Sequence, residues 1–98
     1  MWILQSVEPK DADLTFRILP GAVKTMGRAK RSDFIVEAHL LSRAHCRFTL
    51  SPSNELLVED LESTNGTFVN GKKVQKWKLA SGDRVKVGRV EFEVTNAG

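Results

Sequence analysis

The sequence contains one cysteine, two histidines and no tyrosine, and the low counts of cysteine and histidine exclude several kinds of structural site. Cys46 has no partner for an internal disulfide, which fits a reducing, intracellular compartment. So few cysteines and histidines give no zinc-ligand spacing, and we expect neither a metal nor a cofactor. No apolar run approaches the roughly 20 residues of a membrane helix, and Glu8 and Lys10 follow the opening residues too early for a signal peptide. We therefore expect a soluble chain with no membrane partner.

Helical periodicity is also missing, since no segment places apolar residues at i, i+3, i+4 and i+7 over ten or more positions. Short alternating or compact apolar runs separated by turn residues are typical of strands. The predicted strands span residues 2–7, 14–18, 23–27, 34–36, 46–50, 56–61, 67–69, 84–87 and 90–94. The dipeptide Asn70-Gly71 predicts a tight hairpin turn. At 98 residues, the chain is expected to form one all-β domain over residues 1–98, a sandwich or a barrel.

The net charge of +3 is unevenly distributed along the chain. Residues 24–47 carry six basic residues against two acidic ones, whereas the remaining residues carry nine basic and ten acidic ones. This basic segment either marks the binding site of an anionic partner or reflects a chance grouping of solvated side chains. Charge alone does not decide between the two interpretations.

Three predicted loops hold polar residues suited to an anion, at residues 27–33, 41–45 and 62–67. A phosphate monoester has three acceptor oxygens and up to two negative charges, so it favours guanidinium groups, hydroxyls and free backbone N–H groups. Arg28 and Arg43 supply guanidinium groups, and Ser42 and Thr64 supply hydroxyls. Taken singly, each residue has a structural alternative, because loop arginines are usually solvated and loop hydroxyls usually bond their own backbone.

An enzymatic role for Ser42 and His45 is not expected. The sequence has no Gly-x-Ser-x-Gly nucleophile turn, and nothing identifies an acid that would orient His45. A histidine beside a strand more often braces a loop through both ring nitrogens. We therefore predict a supporting role for His45 and no catalytic residue.

Four short motifs occur in a characteristic order and spacing along the chain. They are Gly27-Arg28, Ser42-Arg43-Ala44-His45, Thr64-Asn65-Gly66 and Asn70-Gly71. Together they resemble the forkhead-associated (FHA) domain family over nearly the whole chain. The resemblance implies a two-sheet β-sandwich of about eleven strands, with loops at one end that bind phosphothreonine-containing proteins.

The resemblance also implies a role for each motif residue. Arg28 and Ser42 would contact the phosphate, with Arg43 as a second cation and Thr64 as a donor. Asn65 would hold the main chain of the bound peptide. The residues implied to support the site are Gly27, His45 and Gly66. Leu40, two positions before the motif serine, would favour an apolar residue at the third position after the phosphothreonine, while lysines between residues 72 and 78 would instead favour acids nearby.

A second, shorter resemblance concerns the cellular role of the protein. Residues 1–4, Met-Trp-Ile-Leu, resemble the start of an FHA domain of DNA double-strand-break repair, which implies a nuclear role in DNA-damage or cell-cycle signalling. Two other functions stay open, a basic nucleic-acid-binding β domain and an FHA-fold scaffold without phosphate binding. With aromatic residues at 7% and no stacking pair, nucleic acid is not the expected partner.

Overall fold

The computed structural model describes residues 1–98 and contains eleven strands and no helix. The strands are β1 (Trp2–Glu8), β2 (Thr15–Ile18), β3 (Val23–Gly27), β4 (Phe34–Ile35), β5 (Cys46–Leu50), β6 (Leu56–Asp60), β7 (Thr67–Val69), β8 (Lys72–Val74), β9 (Lys76–Lys78), β10 (Arg84–Val87) and β11 (Val90–Asn96). No helix long and apolar enough to cross a membrane is present.

The strands form two sheets, one of six strands in the order β2-β1-β11-β10-β7-β8 and one of five in the order β4-β3-β5-β6-β9. All neighbouring strands whose register is defined are antiparallel except β3 and β4, which are parallel. The predicted all-β, two-sheet fold is therefore confirmed.

The alternating strands supply the core because every second side chain points between the sheets. In β5, Cys46, Phe48 and Leu50 are buried while the residues between them are partly exposed. β11 follows the same pattern from Val90 to Val94. The buried hydrophobic residues form a single cluster that spans both sheets, so the two sheets share one core.

The sequence analysis did not predict two of the strands, β8 and β9, and both are edge strands. β8 and β9 contain the four exposed lysines of residues 72–78 and show no regular apolar alternation. Each pairs with only one neighbour, and lysine on an edge strand discourages pairing with other chains. The turn before β8 was predicted correctly: Asn70 and Gly71 have φ values of 50° and 85°, as a two-residue hairpin turn of this kind requires.

The connections divide between the two ends of the sandwich. One end, called here the loop end, carries the connections at residues 9–14, 28–33, 36–45, 61–66, 75 and 88–89. The opposite end carries both chain termini, where the Met1 ammonium donates to the Gly98 carbonyl at 3.2 Å and the Ala97 N–H donates to the Met1 carbonyl at 2.8 Å. We call it the terminal end.

Candidate functional site

The loop end contains an open cleft of about 440 Å³. Its lining residues are Arg28, His39, Leu40, Leu41, Ser42, Arg43, Thr64 and Asn65. All five residues predicted to contact a ligand are among them, drawn from three loops that are separate in sequence. No acidic residue lines the cleft, so its charged groups are all capable of attracting an anion.

Gly27, the last residue of β3, allows two of these loops to meet. A Cβ atom at this position would lie 2.0 Å from the Arg43 carbonyl oxygen, a distance no side chain tolerates. With hydrogen in that place, the Arg28 N–H donates to the Ser42 carbonyl at 3.1 Å and the Ala29 N–H donates to the Arg43 carbonyl at 3.2 Å. The glycine therefore allows Arg28 to lie against the loop of residues 36–45.

The Arg28 side chain is held in place on one side only. Its Nε donates to the Leu41 carbonyl at 3.1 Å, while its two terminal nitrogens have no hydrogen-bond partner in the protein. Arg28 and Arg43 are both exposed and belong to none of the four ion pairs of the molecule. The cleft thus offers two guanidinium groups whose charge is not already neutralised by a carboxylate.

Side-chain hydrogen bonds join the loop of residues 36–45 to the loop of residues 61–66. The Thr64 N–H donates to Ser42 Oγ at 2.9 Å, which places the serine hydroxyl beside the threonine. Asn65 Nδ2 donates to the Leu40 carbonyl at 2.9 Å. These hydrogen bonds hold the two loops together as one polar surface in the absence of a ligand. Less conformational entropy is therefore lost when the loops bind one.

His45 lies beneath this surface, fully buried. Its Nδ1 accepts from the Ser42 N–H at 3.1 Å, so the proton of the neutral ring lies on Nε2, which is 2.9 Å from the Gly66 carbonyl and donates to it. Both ring nitrogens are occupied by the backbone of the two loops. The ring therefore has no free nitrogen with which to take a proton from the Ser42 hydroxyl.

Asp60 organises the loop of residues 61–66, and the sequence analysis missed it. Its Oδ1 accepts from Ser63 Oγ at 2.6 Å and Thr67 Oγ1 at 2.8 Å, and its Oδ2 accepts from the Ser63 N–H at 3.1 Å. Burial opposes ionisation, but the hydrogen bonds from Ser63 and Thr67 outweigh it and lower the pKa of the Asp60 carboxyl. The Ser63 Oγ in turn accepts from the Gly66 N–H at 2.9 Å.

Gly66 closes the same loop in a conformation that favours glycine. Its φ of +88° lies in the left-handed region, and a Cβ atom there would lie 2.9 Å from Lys73 Cε. The Thr-Asn-Gly motif therefore combines a conformational requirement at its third residue with two cleft-lining side chains at its first and second. An Asp-x-x-Ser spacing before a glycine turn is the signal that would have revealed Asp60.

Fold and cleft together define a β-sandwich binding module whose apical loops form a cationic, hydroxyl-bearing surface. The family model described as the FHA domain matches residues 24–88. This protein belongs to the FHA domain family. The confirmed resemblance accounts for the order in which the motif residues occur along the chain.

Relatives of known sequence and structure agree with this assignment. The glycogen accumulation regulator GarA of Mycobacterium tuberculosis is 39% identical over 72 residues, which cover 74% of this chain and 44% of GarA. The ABC transporter ATP-binding/permease protein Rv1747 of the same species is 38% identical over 79 residues, covering 81% of this chain and 9% of that protein. The chain thus spans less than half the length of these relatives.

Two solved structures match almost end to end. One, from a structural and functional analysis of phosphothreonine-dependent FHA domain interactions, is 31% identical with a TM-score of 0.88, and covers 99% of this chain and 97% of its own. The other is the FhaA FHA domain in complex with the intracellular domain of Rv3910, 32% identical with a TM-score of 0.86, covering 96% and 99%.

Proposed function

We propose that this protein is a phosphothreonine-dependent binding module that attaches to a phosphorylated segment of a partner protein. The observation that carries the proposal is the convergence of Arg28, Ser42, Arg43 and Thr64 on a single cleft that no carboxylate lines. Arg28 and Ser42 would bind the phosphate oxygens, Arg43 would add a second cation and Thr64 a hydroxyl. Asn65 would hold the peptide main chain.

The chemistry of the cleft suits a phosphate better than a carboxylate. The two terminal nitrogens of Arg28 can donate to two oxygens of one anion, and each such charge-assisted bond is roughly twice as strong as a neutral hydrogen bond. A hydroxyl and a second guanidinium remain for a third oxygen and for the second charge. A carboxylate has only two oxygens and would leave these donors unused.

The relatives give independent support to this proposal. Phosphothreonine-dependent interactions are described for the FHA domains of one solved structure, and the FhaA domain is in complex with a partner protein domain in another. Both are above 30% identical to this chain and cover nearly all of it. A protein partner carrying phosphothreonine is therefore the expected ligand.

We further propose that residues 1–98 act as one binding unit without enzymatic activity. A single hydrophobic cluster supports the unit, and the ring nitrogens of His45 are both engaged by backbone groups. The nuclear DNA-damage or cell-cycle setting expected from residues 1–4 finds no support among the relatives, several of which are mycobacterial, and we assign no pathway.

The test compares two synthetic peptides that differ only in phosphorylation of one threonine, with binding followed by fluorescence anisotropy. Only the phosphorylated peptide is expected to bind, and Arg28→Ala should weaken it by about 10- to 100-fold, since a charge-assisted contact contributes roughly 1.5 to 3 kcal/mol. Equal binding of both peptides would refute the proposal.

Arg31→Ala is the matched control, because Arg31 is an exposed arginine of the same loop that does not line the cleft. It removes the same charge from the same segment and should change affinity by less than about threefold at physiological salt. An equal loss in both variants would mean that net charge and not the cleft drives binding. Steeply salt-dependent binding of duplex DNA would then favour a nucleic-acid-binding domain.

A further inference from the structure

A further concavity, of about 300 Å³, lies next to the cleft, and we call it the arginine pocket. Arg43 is the one residue that the two share. Thr25, which also lines the pocket, precedes the buried Met26 in β3, so its side chain lies on the outer face of the five-stranded sheet. The arginine pocket therefore extends the cationic surface of the cleft onto that face. Its lining residues are Thr25, Ala29, Arg31, Ser32, Arg43 and Ala44.

The two loops that form the arginine pocket are joined by hydrogen bonds. The Arg43 carbonyl accepts from the Ala29 N–H at 3.2 Å and from Ser32 Oγ at 3.3 Å. The Ser32 N–H in turn donates to the Ala29 carbonyl at 3.0 Å. The backbone of the pocket is therefore held in one arrangement without a ligand, and a ligand has mainly the two arginine side chains to order.

The charge of the arginine pocket favours an anion. Arg31 and Arg43 are both exposed, and neither belongs to an ion pair. No acidic residue lines the pocket. Asp33, two residues after Arg31, offsets part of the positive charge, but its Oδ2 accepts from the Thr25 N–H at 2.9 Å and the Thr25 hydroxyl at 3.2 Å. Both guanidinium groups are therefore free to bind a ligand.

Arg43 can serve the cleft and the arginine pocket at the same time, because a guanidinium group has five N–H donors in one plane. Two anions on opposite edges of one guanidinium lie roughly 8 Å apart, which an extended chain spans in about two or three residues. The two guanidinium groups of the pocket match the charge and the three oxygens of a phosphate, whereas a carboxylate has one charge and two oxygens. A ligand with one phosphate in the cleft can therefore place a second one in the arginine pocket.

We propose that the arginine pocket binds a second phosphate of the same partner segment whose phosphothreonine occupies the cleft. Arg31 and Arg43 contact this second phosphate, and Arg43 lies between the two phosphates. This proposal rests on the proposed function and adds a second binding site to it. The preferred partner is then doubly phosphorylated, with its two phosphorylated residues about two or three positions apart.

The experiment uses the whole chain and a set of labelled peptides, with binding followed by fluorescence anisotropy at physiological salt. The parent peptide has one central phosphothreonine among glycine and alanine. The others add one phosphoserine at the second or third position on either side, and a matched series has glutamate at the same positions. Phosphoserine on one side should tighten binding about fivefold to 20-fold, because contacts to exposed arginines are partly screened by salt. Glutamate should tighten it less than about threefold.

Two variants of the loop of residues 28–33 test whether Arg31 makes the second contact. Arg31→Ala should abolish the gain from the second phosphate and leave the parent peptide's affinity within about threefold, because Arg31 lines the arginine pocket and not the cleft. Lys30→Ala is the matched control, since Lys30 is an exposed cation that lines neither concavity and belongs to no ion pair. It removes the same charge and should retain most of the gain.

If the parent phosphopeptide fails to bind, the proposed function fails and the second phosphate site with it. If the parent binds and no second phosphate tightens it, the second phosphate site alone is refuted. A gain that survives Arg31→Ala, or that Lys30→Ala removes to the same extent, also refutes it, because the arginine pocket is then not where the phosphate binds. An equal gain from glutamate refutes the preference for phosphate. Thermal unfolding confirms that each variant is folded at the assay temperature.

Discussion

Replacing Asp60 by asparagine should loosen the loop that carries Thr64 and Asn65 while the sandwich stays folded. The amide oxygen can still accept from the hydroxyls of Ser63 and Thr67, which donate to Oδ1 in the native protein. The amide nitrogen, however, then faces the Ser63 N–H, which donates to Oδ2. In the variant, two N–H donors therefore face each other, where the native protein has the Ser63 N–H donating to a carboxylate oxygen.

The size of the effect follows from these three hydrogen bonds. One charge-assisted bond is lost, at roughly 1.5 to 3 kcal/mol, and two others change from a charged to a neutral acceptor, at a few tenths to about 1 kcal/mol each. The free energy of unfolding should therefore fall by about 2–5 kcal/mol. This loss is smaller than the stability of most natural domains, about 5–15 kcal/mol, so the variant should remain folded at room temperature.

Urea denaturation measures the loss of stability, with the fluorescence of the buried Trp2 as the signal. Anisotropy with the phosphopeptide measures affinity, which should fall about fivefold to tenfold because the loop must be ordered again on binding. Asp83→Asn is the control, since Asp83 likewise holds a turn through Asn70 Nδ2 and the Ala80 N–H, but at the terminal end. It should lower stability without changing affinity.

The stabilising contribution of the Asp60 carboxylate should also depend on pH. The pKa of Asp60 is lower in the folded protein than in the unfolded chain, so its ionised form stabilises the fold above the unfolded pKa of about 3.9. That stability is lost as pH falls through the lower, folded-state pKa. The stability difference between wild type and Asp60→Asn should be full at pH 6 and shrink below about pH 4. A difference independent of pH, or unchanged affinity in the folded variant, would refute the reasoning.

Three further predictions concern groups beneath the cleft. Gly27→Ala should destabilise the protein by more than about 2 kcal/mol and weaken phosphopeptide binding, because the new Cβ would lie 2.0 Å from the Arg43 carbonyl oxygen; urea denaturation and anisotropy check both. His45→Ala should cost about 2–4 kcal/mol, since it leaves a cavity and two unpaired backbone groups, and a thermal melt with no change in midpoint would contradict it. Cys46 is fully buried and its burial raises the pKa of the thiol, so iodoacetamide at pH 8 should label it only after unfolding, as mass spectrometry would show.

Much of the fold was predictable because buried and exposed positions alternate within one strand. The runs in β3, β5 and β10 have the predicted bounds, and β11 extends two residues further, to Asn96, because β1 pairs with it along that length. β8 and β9 were missed because an edge strand needs few buried side chains, and their lysines resemble a solvated loop.

The functional site was likewise predicted only in part. Arg28, Ser42, Arg43, Thr64 and Asn65 were predicted from motif order, and the structure places all five on one cleft. The sequence analysis also predicted Gly27, His45 and Gly66 as supporting residues, but it missed Asp60. Asp60 acts at a strand end and binds residues on both sides of a turn, so its role depends on a loop conformation that no periodicity encodes.

The closeness of Met1 and Gly98 at the terminal end determines how the domain can be built into larger assemblies. A short glycine–serine linker could join the two ends and give a circular chain, with the cleft still facing solvent. Tandem copies linked through the same ends would likewise keep every cleft free. Their avidity for a doubly phosphorylated partner would then be set by linker length, because linkage converts the second binding event into an intramolecular one.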